Sequence, residues 1–327
     1  MIKKTLYGET LKEQLKASAR DRFYHFILSQ GQIRGVILHG TRMINEMRAN
    51  HELGVLETLV LGHAYLACGL MSASLKGNDR ISLLIECSGP IRGLVVEANA
   101  FGEVRGHLKT VAIAVEKPLE SFDLAPFFGP GILSLTRHLE DAKQPFTGKI
   151  ALAHGSIARD LTEYHMVSEQ IPTAFNLSIH FDSQGEAIGA GGLFLQVMPG
   201  VTDETVAGME DLVRGMPSIG AAFSQGEDPV AMVQNAFSAF DPQFLAERRV
   251  EFMCHCNSSK IESMLGLLPL DDLKDMAENG PFPLEVRCHH CNTPYRFSQG
   301  DLATICGLRQ QNSEPPPAER VASEGPP

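Results

Sequence analysis

Two short cysteine clusters near the C-terminal end constrain this chain more than anything else in it: "CHC" at Cys254 to Cys256 and "CHHC" at Cys288 to Cys291. They hold four of the seven cysteines and are separated by 31 residues. A C-x-C pair and a C-x-x-C pair together supply the four soft ligands of a tetrahedral zinc site. The 44 residues from Cys254 to Phe297 are too few to form a self-sufficient core. Structural zinc contributes roughly 10–16 kcal/mol of folding free energy, whereas a whole domain is stable by only about 5–15 kcal/mol. A metal held by Cys254, Cys256, Cys288 and Cys291 therefore holds the module together.

The surrounding residues suit that reading. An Asn follows each pair, Asn257 and Asn292, and Asn tolerates the left-handed backbone that a tight ligand-bearing turn needs. "PLDDLKDMAENG" has helical spacing with Gly280 as its C-cap, and "FPLEVRC" and "YRFS" read as short strands around the second pair. His255, His289 and His290 lie inside the clusters, but four thiolates already complete the shell. These histidines are expected to point outward, where protonation would favour thiolates. A C-x-x-C pair also closes readily into a disulfide, and a C-x-C pair into a smaller, strained ring. Spacing alone leaves both a redox switch and an inert staple open.

Charge and hydropathy exclude several classes. A formal net charge of −11 argues against general attraction to nucleic acid or anionic membranes. The lysines near the N-terminus precede no apolar stretch of a signal peptide. No window approaches about 18 uninterrupted apolar residues, so no membrane span is expected. The expected compartment is the cytoplasm, where clustered cysteines point to metal or redox chemistry.

Hydrophobic periodicity gives an α+β chain: an N-terminal antiparallel-sheet domain packed with helices, a helical linker and a small C-terminal zinc-binding domain. Residues 1–199 form the core domain. A polar N-terminal segment of helical character leads to a strand in "GQIRGVILHGT", and Leu56, Leu59, Val60, His63, Ala67, Leu70 and Met71 mark a long buried helix. Strands follow, broken at Gly89-Pro90 and around Ala100 to Gly102. "IARDLTEYHMVSEQ" is helical up to Pro172, and a hairpin turns near Asp182 to Gly185. Residues 200–250 form the linker, with Thr202 as one N-cap and the Asp228-Pro229 pair as another. Val206, Met209, Val213 and Met216 share one face, as do Val230, Val233, Phe237 and Phe240. Such short amphipathic helices need a surface to dock on. Residues 251–308 form the zinc module, and 309–327 a Pro-rich disordered tail.

Other features read as structural. Cys68 and Cys87 are expected to be buried small hydrophobes, and Cys306 a free surface thiol. "GAGGL" lacks the setting of a phosphate loop, so its glycines serve a sheet bend or close packing. Lone histidines such as His63 and His154 have no companion nucleophile, and Ser72 and Lys76 are four apart rather than three. No catalytic residue stands out, and the chain reads as a non-enzyme.

Beyond the cysteines, "SEQIPT" (Ser168 to Thr173), "GAGGLFLQVMP" (Gly189 to Pro199), "SASLK" and "VEFMCHC…LPLDDLKDM…CHHCNTPYRF" occur in the order of a known family. From about residue 20 to 308 the chain resembles the redox-regulated heat-shock holdases, the 33 kDa chaperonins. The resemblance implies one zinc per chain, held in the reduced, inactive state by Cys254, Cys256, Cys288 and Cys291. It implies oxidation to Cys254–Cys256 and Cys288–Cys291 disulfides, loss of zinc, and unfolding of module and linker. The exposed surface would bind unfolding or oxidatively damaged client proteins without ATP, as a homodimer when oxidised.

Two rivals come from other classes. A zinc-ribbon nucleic-acid binder would show a basic face with stacking aromatics, but residues 254–297 carry four Lys/Arg against six Asp/Glu. A thiol–disulfide oxidoreductase using "CHHC" would need a thioredoxin-like βαβ setting, which the N-terminal pattern does not provide.

Overall fold

The computed structural model describes Met1, residues 21–115 and residues 123–313. The polar segment expected to be helical before residue 20, and residues 314–327 of the tail, lie outside the described residues. In chain order the elements begin β1 (Arg22–Leu28), β2 (Ile33–His39), α1 (Thr41–His51), α2 (Val55–Ser72), β3 (Arg80–Cys87), β4 (Gly93–Asn99) and β5 (Glu103–Leu108). Then come α3 (Ala125–Phe128), β6 (Gly131–His138), β7 (Phe146–Ala151), α4 (Ile157–Tyr164), β8 (Thr173–Phe181) and β9 (Ala187–Val197). The order continues with α5 (Asp203–Gly215), α6 (Ile219–Ser224), α7 (Pro229–Ala236), β10 (Gln243–Arg249) and β11 (Glu251–Phe252). Last are α8 (Ser258–Leu265), α9 (Leu270–Asn279), β12 (Leu284–Arg287), β13 (Pro294–Phe297) and α10 (Gln299–Ser313). The chain is α+β, with sheets that are antiparallel except where β11 joins β5.

Two compact units emerge. Among the described residues, the larger takes in those from 21 up to Cys254 together with His289 to Cys291; the smaller takes in Met1, His255 to Cys288 and residues 292–313. In the larger unit one sheet runs β10-β1-β2-β9-β8 and the other β11-β5-β4-β3-β6-β7. Alternation in β3 turns Ile81, Leu83 and Ile85 inward, matched in β4 by Leu94, Val96 and Ala98. Between the sheets runs α2, packed on β3, β4 and β5 on one side and β2, β8 and β9 on the other. By length and composition α2 could cross a membrane, but 83% of it is buried within the fold, which makes it the core helix. Its Tyr65 hydroxyl donates to the Gly106 carbonyl at 3.0 Å, satisfying the one polar atom this ring brings into the core.

β9 is buried on both faces. Leu193, Leu195 and Val197 turn away from α2 into a second core with Phe26, Ile37, Met209, Ile219, Phe223, Met232, Val233 and Phe237. The apolar faces of α5, α6 and α7 are thus covered, as their spacing requires. Thr202 and Asp228 cap α5 and α7, Asp228 accepting from Val230 N and Ala231 N. The "GAGGL" glycines do allow close packing: a Cβ on Gly191 would collide with the Phe223 ring, and one on Gly189 with the Gly220 carbonyl.

The linker departs from the all-helical expectation. From Gln243 it is a strand, β10, paired antiparallel with β1, and β11 then pairs parallel with β5. Edge pairing decides here: β1 and β5 would otherwise present unpaired backbone groups. β1, at the end of the N-terminal segment expected to be helical, is instead a strand: "RFYHFIL" is rich in aromatic and branched residues, and it buries Phe23, Phe26 and Leu28. The smaller unit has its own core of Ile261, Leu265, Leu273, Phe297, Leu302, Ile305 and Cys306. Cys306 is accordingly buried, not a surface thiol, because α10 continues through Ser313 where a disordered tail was expected from residue 309. Cys68 is fully buried, and burial drives its thiol pKa far up; Cys87 is only half-buried, at the end of β3.

Candidate metal centre

β11 delivers the first pair of cysteines. Its parallel register sets Phe252 beside Val104, and Met253 N donates to the Val104 carbonyl at 3.0 Å. Cys254 thereby comes alongside Arg105, whose Nη1 lies 3.9 Å from Cys254 Sγ. Nε and Nη2 of Arg105 both donate to Glu97 Oε2, at 3.0 and 2.7 Å, across the β4–β5 register. Burial works against this guanidinium, but Glu97 and Cys254 together raise its pKa, so it stays charged. Beyond Cys256, Asn257 is not left-handed (φ −150°); it caps α8 by accepting from Lys260 N at 2.9 Å.

The second pair sits in the turn of the β12–β13 hairpin. Pairing runs from Leu284 with Phe297 to Arg287 with Pro294. Cys288 N then donates to the Thr293 carbonyl at 3.0 Å, and Asn292 N to the Cys288 carbonyl at 2.7 Å. Asn292 adopts the expected left-handed backbone, φ 53°. In the same turn Asn50 Nδ2 donates to the Cys291 carbonyl at 3.2 Å, and His51 Nε2 lies 3.2 Å from the His290 carbonyl.

These paths converge. The Sγ atoms of Cys254, Cys256, Cys288 and Cys291 all lie within 4.8 Å of one another. None is in a disulfide, and their residues are 2%, 9%, 8% and 0% exposed. A tetrahedral zinc with Zn–S near 2.3 Å requires S–S separations of about 3.8 Å, so the thiols fit with little adjustment. Four buried thiolates without a cation would be costly, and Arg105 alone does not balance them. The donor set is soft, four-fold and closed, as a structural zinc site is and a catalytic one is not.

Around the thiols lie residues that spacing could not reveal. Tyr295 Oη donates to Cys256 Sγ at 3.1 Å. The ring of His107 on β5 packs edge-on against His289 and His290, with centroids 5.5 and 5.4 Å away. Burial, then repulsion from His290 and His289, pushes the His107 pKa down to about 4; burial also lowers His290. His107 is therefore neutral at neutral pH, and Arg105 is a cation beside the thiols that the cysteine spacing did not announce. His255 and His289 are exposed, whereas His290 is half-buried. Only Tyr295, inside the "CNTPYRF" string, left a trace in the sequence; Arg105, Asn50, His51 and His107 reach the centre through folding alone.

Comparison with known proteins agrees with this architecture. Residues 21–298 match the family model described as Hsp33 protein. The 33 kDa chaperonin of Desulforamulus reducens is 32% identical over 288 residues, 88% of this chain and 97% of that protein. That of Thermotoga maritima is 33% identical over 294 residues, 89% of this chain and 99% of its own length. A crystal structure of the Thermotoga maritima protein superposes with a TM-score of 0.81 at 31% identity, covering 89% of this chain and 99% of that one.

Proposed function

The chain belongs to the Hsp33 family of chaperones, and from that premise we propose that it is a redox-regulated, ATP-independent holdase. The observation that carries the reading is the buried set of four thiols, none in a disulfide, within 4.8 Å of one another. In the reduced state Cys254, Cys256, Cys288 and Cys291 hold one zinc, which when bound supplies the cross-link that the small core of Ile261, Leu273 and Phe297 needs. The domain division read from sequence belongs to the same proposal: core to 199, linker to 250, zinc module to 308 and tail to 327.

Under peroxide stress the Cys288 and Cys291 thiolates lose two electrons and form one S–S bond; the peroxide O–O bond breaks and, with two protons taken from solvent, two waters leave. Cys254 and Cys256 do the same with a second peroxide. Neither pair then offers thiolates, and the segment from His255 onward loses its cross-link. The preceding β10–β11 segment leads directly into Cys254, and α5 to α7 cover β2 and β9 with Met209, Phe223, Met232 and Phe237. Release of these helices would bare a Met- and Phe-rich surface suited to low-specificity capture of unfolding proteins. The linker's acidic excess, eight Asp/Glu against three Lys/Arg over 201–249, would keep such complexes soluble. The oxidised form acts as a homodimer in the cytoplasm, without nucleic acid, membrane or catalytic turnover.

The test is light scattering of a heat-unfolding protein with reduced zinc-loaded chain or chain treated with warm peroxide. Zinc release is followed in the same samples with a chromogenic chelator. Suppression by the oxidised form alone, rising with zinc release, is the expected result. Equal behaviour of both forms reduces the cysteines to a staple. Retention on a nucleic-acid column at physiological salt would instead favour the ribbon reading.

A further inference from the structure

Helix α1 has no side-chain cap of its own; Gly40 stands at its N-cap position. Its first turn is held from a distance by Asp21, whose carboxylate accepts from Arg42 N at 3.2 Å and Met43 N at 2.6 Å. The Asp21 carbonyl also accepts from Val250 N at 3.3 Å, at the joint between β10 and β11. At the other end, the last two residues of α1 reach the second cysteine turn: Asn50 holds the Cys291 carbonyl and His51 the His290 carbonyl, each at 3.2 Å. Both are buried, at 4% and 7% exposure, and the His51 ring is braced by Phe252, centroid to centroid 6.3 Å. A carbonyl accepts only, so His51 Nε2 carries the proton. Residues 289–291 accordingly pack as part of the larger unit, while Cys288 and Asn292 on either side do not.

We infer that Asn50 and His51 are positioning residues of the cysteine centre: they pin the backbone of the Cys288–Cys291 turn in its metal-holding shape and so set how fast the chain gives up zinc and closes that disulfide. The inference rests on the switch reading above. To form the disulfide, two Sγ atoms spaced for a tetrahedral site must approach to about 2.05 Å, and the turn must reshape. The carbonyls of His290 and Cys291 cannot swing while two buried donors hold them. Neither donor is a ligand, so their effect is on the rate of release and not on the capacity to bind. Because the same helix is tied at its start to Val250, a loosened turn would also loosen the strand joint through which the linker enters Cys254.

The experiment uses the full zinc-loaded chain, with Asn50→Leu, which keeps the volume and removes the donor, and His51→Phe, which keeps the ring. Zinc transfer to a chromogenic chelator is timed without oxidant. Cys288–Cys291 disulfide formation is timed with peroxide by peptide mass spectrometry, and thermal unfolding is recorded alongside. One hydrogen bond of ordinary strength corresponds to about a fivefold factor, so each variant should speed both processes about fivefold and the double variant about 25-fold. The bound zinc should stay at one per chain, and His51→Gln, which restores an N–H donor, should return most of the rate. Release at the unmodified rate from folded, zinc-loaded variants overturns the inference. Should a variant fail to fold, hydrogen exchange on the unmodified chain decides. Amides of the last turn of α1 must lose protection when zinc is stripped, and unchanged protection overturns the proposal. A chain that binds no zinc overturns both this inference and the switch reading. Faster release in a chain whose oxidised form never suppresses aggregation overturns the switch reading alone.

Discussion

The hydroxyl of Tyr295 donates to the sulfur of Cys256 at 3.1 Å, so one of the four thiols carries a neutral donor from the neighbouring strand β13. Cys254 carries a cationic donor instead, Arg105 at 3.9 Å. Donors to a ligating sulfur tune how firmly it holds a metal, and loss of such an outer partner typically costs 10–100-fold in affinity. Tyr295→Phe removes one oxygen and no packing. It is expected to weaken zinc binding about tenfold in competition with a chelator, with little change in the helical signal of the zinc-saturated chain.

Removing a ligand is a different order of change. Cys291→Ser takes away one of four soft donors at a site with 0% exposure. Since roughly 10–16 kcal/mol of folding rides on such a metal, the zinc content should fall to near zero. The module containing α8, α9 and α10 should lose its helical circular dichroism, while the larger unit keeps its own melting transition. Atomic absorption with limited proteolysis checks this; a compact, protease-resistant module without zinc would contradict it.

The contact between β9 and α6 allows the linker to be freed without any oxidant. A Cβ at Gly189 would run into the Gly220 carbonyl oxygen and stand 2.7 Å from Ser224 N, both backbone atoms that cannot rotate away. Gly189→Ala should therefore push α6 off the sheet, at a cost of about 1–3 kcal/mol. Ile219 and Phe223 would be partly bared. If the linker surface captures clients, reduced and zinc-loaded Gly189→Ala should already suppress aggregation in the scattering assay. A destabilised variant that remains inert until oxidised would place the capture surface elsewhere.

What could be read from the sequence was local. Asp228-Pro229 caps α7, and Asn292 takes the left-handed turn, because each depends on its immediate neighbours. The pairing of C-x-C with C-x-x-C announced four candidate ligands because two close pairs of soft donors match the donor set of a tetrahedral metal site. What stayed hidden was set by distant partners. Met43, Ile44 and Met47 carry a helical repeat, yet α1 begins without a local cap because Asp21 supplies one from 20 and more residues away. Arg105 meets Cys254 only because β11 pairs with β5, a register that no local pattern encodes. Cys306 looked like a surface thiol because the polar residues after Leu308 masked the helix that turns it into the small core.

Acid should weaken the larger unit through α2. His63 Nε2 is buried without a hydrogen-bond partner among the described residues, and burial pushes its pKa down to about 4. In the unfolded chain the same imidazole titrates near 6.5. Above that value both states are neutral and the residue adds no pH dependence. As pH falls from about 6.5 towards about 4, the unfolded chain takes up a proton that the folded one refuses, so stability falls by up to about 1.4 kcal/mol per pH unit. At pH 5 the loss from this residue reaches at most about 2 kcal/mol. His107, also pushed down to about 4, adds to the slope in the same window. His63→Leu leaves that second contribution in place and removes the first. Urea midpoints followed by circular dichroism at about pH 7.5 and about pH 5 should therefore differ less in the variant than in the unmodified chain. An identical shift in both would mean that water or a relaxed ring position satisfies His63.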